Sequence, residues 1–599
     1  MGELRAILPY FRPYLRSLYW GVVLVFFANL FQMAGPYLIK LALDGMEDTD
    51  PDTAAARIAT YAGLIVATAF VGGAARYGMR ELLNGMSRRI ECDLRDDFFV
   101  HLLRLDATFY GSTRTGDLMS RATNDTLAVR MAVGPAVMYT ANTIVGFVFS
   151  LSFMLWISPR LTLYAIVPMI VLPPIVLGFG RIIHRRFEQI QEQFSSLSTF
   201  VQENLTGVRI VRAYTQEAEQ ARQFDVFNEE YRRKNMSLVL SAGAFHPILM
   251  LISGIALVLA TWLGALEVIA GAMTKGDFVA FGFYLVMLIW PMIALGWVVN
   301  LYQRGAASMG RLNEILAVKP AVGVPLEPIS LAAARGGIEF RNVSFSYPNT
   351  QREVLDAISF VVEPGATVAI VGPTGSGKST LVALLARQYD PTGGEILLDG
   401  VKLTDVDPAE LRLRIGMVPQ DPFLFSATIA DNVGLGLDSD EPLLTESGEP
   451  SDVIAAATSV AQLAEQIEGF PKGYGTMLGE RGINLSGGQK QRATLARALA
   501  RDPLILVLDD ALSAVDTHTE AKIMDDLRSV MKRRTSFIIS HRASAVMHAD
   551  EILVLNDGAL VERGTHVELI NARGTYARLL RRQMLEEDLE SRLAPTSGD

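Results

Sequence analysis

The fold of the second half of this 599-residue chain is decided by the stretch Gly372-Pro373-Thr374-Gly375-Ser376-Gly377-Lys378-Ser379. It follows the apolar, strand-like run Thr367 to Val371 and opens a helical run that begins with Thr380. Glycines at this spacing let successive backbone N–H groups converge on phosphate oxygens at the positive end of a helix. Lys378 adds a positive charge, and the hydroxyl of Ser379 is suited to ligate Mg²⁺. We therefore predict that residues 372–380 bind the phosphates of ATP.

A second part of the predicted site lies further along the chain. The continuous apolar run Leu504 to Leu508 is typical of a buried parallel strand, and it ends in Asp509 and Asp510. Carboxylates at such a strand end suit a metal site, so we expect Asp509 and Ser379 to hold Mg²⁺. Buried strands often end in a solvated aspartate, so this signal depends on the phosphate loop upstream.

The first half of the chain is hydrophobic. Because about 20 helical residues cross about 30 Å of hydrocarbon, an uncharged run of that length is a membrane-span candidate. A soluble enzyme would have no place for several such runs, and the net charge of −10 opposes binding to nucleic acid. Six runs qualify: Leu18 to Ile39, Ile58 to Ala75, Met131 to Pro159, Leu161 to Gly180, Met236 to Leu266 and Phe278 to Gln303.

Two long hydrophilic stretches separate these runs, Arg76 to Arg130 and Arg181 to Asn235, and both are rich in arginine. Basic segments near a membrane tend to stay on the cytoplasmic side, so we expect both termini in the cytoplasm of a multi-pass cell-membrane protein. Both stretches keep helical periodicity with few breakers. The spans are therefore expected to continue as long cytoplasmic helices.

The predicted domain order follows from these patterns. Residues 1–320 form an all-α transmembrane domain of six spans with two long cytoplasmic loops, and proline and glycine punctuation marks a linker at 321–336. Strand-like and helical runs alternate in 337–585, which predicts an α/β P-loop nucleotide-binding domain. The polar residues 586–599 are expected to be a disordered tail.

The chain resembles one family specifically. The pentapeptide Leu485-Ser486-Gly487-Gly488-Gln489, between the phosphate loop and the Asp509 strand, is similar to the signature of the ATP-binding cassette (ABC) family. A Gly- and Ser-rich loop at the start of a helix is a second place where free backbone N–H groups can bind phosphate. The resemblance implies that Ser486, Gly487, Gly488 and Gln489 close on nucleotide held by a partner domain.

Further motifs of that family occur in the same order. The resemblance implies that Tyr347 stacks on adenine, that Gln420 senses Mg²⁺ and the membrane domain, and that His541 lies near the γ-phosphate. Asp516, in Ser513-Ala514-Val515-Asp516, corresponds to the loop that crosses the dimer interface, and Gly479 to Gly482 matches a short loop typical of exporters. Each of these residues alone would more often be a packed or capping side chain.

The order of domains is similar to an exporter-type half-transporter. Phe109-Tyr110 and Gly116-Asp117-Leu118 resemble the family's first coupling region, and the second is expected within Gln216 to Phe227. Such regions dock on the nucleotide-binding domains. The resemblance therefore implies a dimer with a second half-transporter subunit, embedded in membrane lipids.

One position departs from the family pattern. The residue after the magnesium aspartate is usually a glutamate that polarises the attacking water, whereas this chain has Asp510. The loss of one methylene predicts slow hydrolysis at this site. Because the signature is intact, the chain is similar to one subunit of the asymmetric heterodimeric exporters, whose other chain would carry the glutamate. The alternatives are a homodimer in which Asp510 suffices for hydrolysis, and an altered residue at this position.

The cargo is the least determined property. The spans contain few polar residues, among them Asn29, Gln32, Asn142 and His246, and His246-Pro247 is expected to break the fifth helix locally. An apolar cavity would favour small amphipathic drugs or lipids. The rivals are an importer of metal chelates on the same scaffold and an ATP-gated channel or regulator.

Overall fold

A computed structural model describes the chain for residues 2–46, 51–348, 350, 352–437, 442–479, 482 and 484–593. The described residues form two compact units. The first comprises Met1–Leu103 and Thr115–Val318, and the second comprises Arg104–Arg114 and Lys319–Asp599. The second unit therefore begins close to the expected boundary at 320, and it includes the linker at 321–336. It also includes residues 104–114, which we had assigned to the transmembrane domain.

A hydrogen-bonded contact explains why residues 104–114 belong to the second unit. The Asp106 carboxylate accepts hydrogen bonds from the backbone N–H groups of Ala321 and Val322, the latter at 3.2 Å. It also caps the short helix that follows, accepting from the Thr108 N–H at 2.9 Å. A carboxylate held by three donors anchors this segment to the chain that leads into the nucleotide-binding domain.

Helices make up the first half of the chain. Among the described residues, six helical segments are long and apolar enough to cross a membrane, in agreement with the six predicted spans. The helices of this half are α1 (Leu8–Phe11), α2 (Leu15–Asp44), α3 (Pro51–Arg104), α4 (Ala107–Ser112), α5 (Thr115–Ser120), α6 (Thr126–Val133), α7 (Pro135–Ile157), α8 (Pro159–Met169), α9 (Leu172–Thr206), α10 (Val208–Ala213), α11 (Glu217–Ile269) and α12 (Lys275–Leu316), and α4 and α10 lie outside the six segments.

Several of these helices are far longer than a bilayer requires. Helix α3 has 54 residues and α11 has 53, whereas about 20 residues suffice for a span. The expected break at His246-Pro247 is wrong, because α11 continues through Pro247. A proline removes a single backbone donor, and neighbouring groups in a membrane protein compensate for that loss.

The second turn of the chain is made by a short helix. Helix α9 ends at Thr206 with Gly207 as its C-cap, and α10 (Val208–Ala213) reverses the chain before α11 begins at Glu217. Thr215, with φ of 54°, completes the reversal in the left-handed region. The stretch Gln216 to Phe227, where the second coupling region is expected, consists of the N-cap of α11 and the first turns of that helix.

The second unit contains two sheets. A four-stranded antiparallel sheet has the order β2-β1-β4-β5, and a six-stranded sheet has the order β10-β9-β3-β8-β7-β6, parallel except for β10. All residues of β7 and β8 are buried, as expected for parallel strands covered on both faces. The strands are β1 (Ile338–Phe345), β2 (Leu355–Val362), β3 (Thr367–Val371), β4 (Gly393–Leu398), β5 (Val401–Lys402), β6 (Ile415–Val418), β7 (Ile505–Asp509), β8 (Thr535–Ile539), β9 (Glu551–Asn556) and β10 (Ala559–Gly564).

Helices make up much of the rest of the second unit. They are α13 (Lys378–Leu385), α14 (Pro408–Leu413), α15 (Ile429–Val433), α16 (Asp452–Val460), α17 (Ala464–Glu468), α18 (Gly487–Ala500), α19 (Thr517–Met531), α20 (Ala543–Val546), α21 (His566–Ala572) and α22 (Thr575–Leu593).

The chain end differs from the predicted tail. Helix α22 continues to Leu593, so residues 586–593 are helical rather than disordered. They are mostly Leu, Glu, Arg and Asp, and three of these four types favour helix strongly enough to extend one that has already begun. Residues 594–599 of the predicted tail lie outside the described part of the chain.

We predict that Leu506→Ala lowers the stability of the nucleotide-binding domain by about 2–5 kcal/mol, because it leaves a cavity inside β7. Leu506 is 0% exposed, whereas Leu413 at the end of α14 is 57% exposed. Leu413→Ala is therefore the matched control, with an expected loss below about 1 kcal/mol. Thermal unfolding followed by circular dichroism measures both, and equal losses would contradict the assigned core.

Candidate functional site

Three neighbouring strands carry the predicted site. The phosphate loop follows β3, Asp509 is the last residue of β7, and His541 follows β8, which pairs with both strands. The carboxyl ends of parallel strands share one edge of a sheet, and open α/β sheets bind ligands at that edge. The strand order thus brings together residues that are far apart in the chain, such as Ser379 and Asp509, which are 130 positions apart.

Two glycines of the phosphate loop are required by the space around them. A Cβ on Gly372 would come within 2.2 Å of the Leu555 carbonyl oxygen. Gly377 has φ of +98°, and its Cβ would meet the Val354 carbonyl oxygen at 2.9 Å. Only glycine avoids both the contact and the conformational strain at position 377. Gly377 precedes α13 directly, so the loop presents backbone N–H groups at a helix start.

Lys378 is held inside the loop. It is 7% exposed, and its Nζ donates hydrogen bonds to the carbonyl oxygens of Gly372 at 2.8 Å and Pro373 at 2.9 Å. Burial lowers the pKa of Lys378, while the carboxylates of Asp509 and Asp510 act in the opposite direction. The buried Oγ of Ser376 has no hydrogen-bond partner among the described residues. A cationic group and an unsatisfied hydroxyl in one loop fit a phosphate ligand.

The residues predicted to hold Mg²⁺ are in contact. The Ser379 hydroxyl donates a hydrogen bond to Asp509 Oδ1 at 3.2 Å. Burial raises the pKa of Asp509, and the neighbouring Asp510 adds to this effect, while Ser379, Lys378 and His541 oppose it. A hydroxyl and a carboxylate are oxygen donors of the kind that Mg²⁺ prefers. The donor set therefore fits the ion.

A cavity of about 300 Å³ unites most of the predicted site. One end of it is formed by Tyr347, whose hydroxyl lies 2.9 Å from Thr380 Oγ1. Gly372 and Pro373 line a separate cavity of about 560 Å³ beside α22, which also reaches Thr374 and His541. The predicted residues that line the smaller cavity are Tyr347, Thr374, Gly375, Gly377, Lys378, Ser379, Thr380, Gln420, Asp509, Asp510 and His541.

The signature residues do not line this cavity within the described chain. Ser486 caps α18: its Oγ accepts from the Gln489 N–H at 3.3 Å, and the Gln489 side chain accepts from the Ser486 N–H at 2.8 Å. A Cβ on Gly488 would come within 2.8 Å of the Ala514 carbonyl oxygen. Ser486 and Gly487 are exposed. The signature thus presents an accessible helix start that the chain's own phosphate loop does not use.

Asp516 also lies outside the cavity lining, and its contacts are those of a cap. It accepts a hydrogen bond from the Thr519 N–H at 2.9 Å at the start of α19, and this bond lowers the pKa of its carboxyl. In the loop before the signature, Gly479 and Gly482 are described, whereas Glu480 and Arg481 lie outside the described residues.

A polar network around the Ser513 to Asp516 loop was not predicted. Gln491 of α18 donates to Ser513 Oγ at 2.9 Å and accepts from the Ala514 N–H at 2.8 Å. Arg542, next to His541, donates to the Ser513 carbonyl oxygen at 3.1 Å and forms an ion pair with the buried Glu520. These contacts link the signature helix, the loop and the His541 segment. A lone Gln or Arg in a helix gives no sequence signal for such links.

We predict that Gly377→Ala weakens ATP binding at least about tenfold, because the new Cβ displaces the loop from its strained conformation. Gly365 is the control, since it has φ of +80° outside the loop and an added Cβ there meets no atom. Gly365→Ala should bind ATP as the unaltered chain does. Equilibrium binding of a fluorescent ATP analogue measures both variants, and tight binding by Gly377→Ala would argue against the phosphate site.

Comparison with known proteins is consistent across the chain. The family model described as "ABC transporter transmembrane region" matches residues 18–292, and the one described as "ABC transporter" matches residues 355–513. Among curated relatives, the probable multidrug resistance ABC transporter ATP-binding/permease protein YheI of Bacillus subtilis is 38% identical over 96% of this chain and 97% of its own length. The multidrug resistance-like ATP-binding protein MdlA of Escherichia coli is 37% identical over 97% of this chain and 96% of its own length.

A solved structure agrees with these relatives. A bacterial Atm1-family ABC exporter with ATP bound matches 95% of this chain and 99% of its own, with a TM-score of 0.77 and 28% identity. The matches cover both units, and the phosphate loop lies in the matched cassette. The chain therefore belongs to the ABC transporter family, as an exporter-type half-transporter: a multi-pass membrane protein whose cytoplasmic nucleotide-binding domain binds ATP and couples its hydrolysis to transport.

Proposed function

We propose that this chain is the slow-hydrolysing subunit of a heterodimeric exporter of amphipathic drugs or lipids. One observation carries the proposal: an aspartate, Asp510, occupies the cavity position directly after Asp509. In this family the corresponding residue is a glutamate that polarises the attacking water. The carboxylate of aspartate reaches roughly 1 Å less far, and a misplacement of that size costs on the order of 100-fold in rate.

The backbone around Asp510 does not offset the shorter side chain. Asp510 has φ of 49°, and its N–H donates a hydrogen bond to the Ile539 carbonyl oxygen at 2.8 Å. Position 510 is thereby tied to the end of β8, in a conformation that a non-glycine residue adopts only at a cost. A shift of the chain toward the nucleotide would break this bond. The reach of the carboxylate is therefore set by the side-chain length.

Mg²⁺ has a defined role in this proposal. Ser379, Asp509 and Gln420 would hold it, since all three line the same cavity. The ion supplies positive charge against the phosphate oxygens when it is bound. Asp509 must be ionised to bind the ion. Because its pKa is raised, the carboxylate becomes protonated, as the pH falls, at a higher pH than an ordinary aspartate does.

The intact signature supports a partner that differs from this chain. Ser486 and Gly487 expose the start of α18, which suits a phosphate held by another subunit. This chain would then complete a competent site on a partner whose own residue after the magnesium aspartate is glutamate. ATP bound at both sites would close the nucleotide-binding domains, and hydrolysis at the partner's site would reset them.

We expect Asp510→Glu to raise the ATPase rate of the purified chain by about 10- to 100-fold, because it restores the reach of the carboxylate. Asp557→Glu is the matched control, since Asp557 has a similar φ of 45° and an 85% exposed side chain. Its rate should not change. Brisk hydrolysis by the unaltered chain alone, with no gain from Asp510→Glu, would favour a homodimer in which Asp510 suffices.

The first unit supports an apolar cargo. Asn29 donates to Asn142 at 3.0 Å, and Gln32 accepts from Arg76 at 2.6 Å, so these polar side chains satisfy each other between helices. Within the described part of the spans, Asn29, Asn142 and Gln32 are therefore held by these hydrogen bonds rather than turned to a hydrophilic cargo. The names of the relatives, multidrug resistance and exporter, favour export over the importer of metal chelates and the ATP-gated channel considered above.

Transport into inside-out membrane vesicles tests the direction and the cargo class. We expect vesicles that contain the chain and its partner to accumulate the amphipathic dye Hoechst 33342 with ATP but not with a non-hydrolysable analogue, because uphill movement needs turnover. The control vesicles carry Gly377→Ala in this chain and Asp→Asn at the partner's magnesium aspartate. Dye release from the vesicles on adding ATP would indicate import, and equal flux with the analogue would indicate a gated channel.

A further inference from the structure

The chain passes between its two units three times, at Leu103 to Arg104, at Arg114 to Thr115 and at Val318 to Lys319. Any movement that nucleotide produces in the second unit must reach the spans through these crossings or through surfaces. Residues next to the crossings are therefore the places where a mechanical link would have to be built. In the first unit, polar contacts join all three.

The first crossing is joined to the third. His101, three residues before Arg104 on α3, donates from Nε2 to the carbonyl oxygen of Ile315 near the end of α12, at 2.9 Å. On the far side of the same two crossings, within the second unit, Asp106 accepts hydrogen bonds from Ala321 and Val322. The two chain segments are thus tied to each other both before and after they leave the first unit.

The second crossing is joined to the third by two arginines. Arg311 of α12 donates through Nε to Asp125 Oδ2 at 3.0 Å, and through Nη2 to Asp125 Oδ1 and to Ser308 Oγ. Arg121 pairs with Glu314 of α12 at 3.1 Å and donates to the Arg311 carbonyl oxygen. Asp125 is 6% exposed, so its carboxylate depends on this bidentate partner.

The backbone at Arg121–Asp125 is itself unusual. These residues form a π-helical turn between α5 and α6. Such turns are rare and are frequently found at functional sites. The carbonyl oxygen of Ala122 within the turn accepts from Thr126 Oγ1 at 2.7 Å and from Nε of Arg95 on α3 at 3.3 Å. Side chains of α6 and α3 thus hold the turn, which carries the Arg121 and Asp125 side chains that contact α12.

We propose that His101, Arg121, Asp125, Arg311 and Glu314 form a clamp that transmits nucleotide-driven movement from the three crossings to the spans. The five residues are positioning residues, because none of them lines the nucleotide cavity. The clamp moves the three connections as one body, so that α3, the π-helical turn and α12 are displaced together. Without it, the second unit would bind and hydrolyse ATP while the spans no longer followed.

The chain provides an internal reporter for this coupling. All five tryptophans, Trp20, Trp156, Trp262, Trp290 and Trp297, lie in the first unit, whereas ATP binds in the second. A change of tryptophan emission or of its quenching by acrylamide when Mg·ATP is added to the purified chain therefore reports movement of the first unit. No label and no knowledge of the cargo are needed.

We expect Arg311→Gln and Asp125→Asn to reduce this ATP-induced tryptophan response at least about threefold, while ATP affinity stays within about twofold of the unaltered chain. The double variant leaves no unpaired buried charge and should lose no more than either single variant, because the two residues act as one pair. Arg311→Lys, which keeps the charge but not the bidentate geometry, should restore part of the response.

Arg232→Gln is the matched control, since Arg232 forms an exposed ion pair with Glu229 on α11 and should be removable without effect. A full response in the Arg311 and Asp125 variants would overturn the clamp. Loss of ATP binding together with the response would also overturn it, because the residues would then only support the fold. If the unaltered chain bound ATP with no tryptophan response at all, the clamp would be overturned as well, because it would then transmit no movement to the spans.

Discussion

The structure depends on one constraint: phosphate oxygens are gripped by backbone N–H groups, and the backbone can come close enough only where no Cβ stands in the way. At Gly372 and Gly377 the space that a Cβ would need is taken by the carbonyl oxygens of Leu555 and Val354. The loop must therefore sit tightly against the end of β9 and the start of β2. A buried lysine, whose ammonium is satisfied by two carbonyl oxygens of the loop, completes a cradle for negative charge.

The remainder of the site follows from where that cradle lies on the sheet. Since β8 pairs with β3 on one side and β7 on the other, His541 and Asp509 reach the edge where the loop begins. Burial makes the charged form of Asp509 costly, and an opposing cation, Lys378 or Mg²⁺, offsets that cost. The loop, the carboxylate and the ion are thus stable together and less stable apart.

The spans of the first unit are surrounded by lipid, which offers no hydrogen bonds to polar groups. Polar side chains have to satisfy each other, as Asn29 and Asn142 do, and charged groups are placed toward the helix ends. The ion pairs of Arg121 and Arg311 lie in the long extension of the helices, where water can reach Arg311. A charge network there has a low desolvation cost, and it joins segments that are far apart in sequence.

Much of this protein could be predicted because its signals are local. Six apolar runs, a Gly-rich loop after a strand and an Asp at a strand end depend on short stretches of residues, and the structure places each of them as expected. The expected break at His246-Pro247 and the expected disorder of residues 586–593 were wrong, since neighbouring helices compensate for one proline and favourable helix formers extend a helix that has already begun.

What the sequence by itself determined is the fold class, the family and the phosphate cradle. Each depends on short runs of consecutive residues, and the local conformational preferences of those residues do not depend on distant contacts. Only the tertiary structure decided that residues 104–114 belong with the nucleotide-binding unit, that Gln491 and Arg542 hold the Ser513 to Asp516 loop, and that Arg311 meets Asp125. The physical reason is that an ion pair or a hydrogen bond between residues 186 positions apart needs both backbones in place first, and neither residue alone carries a sign of its partner.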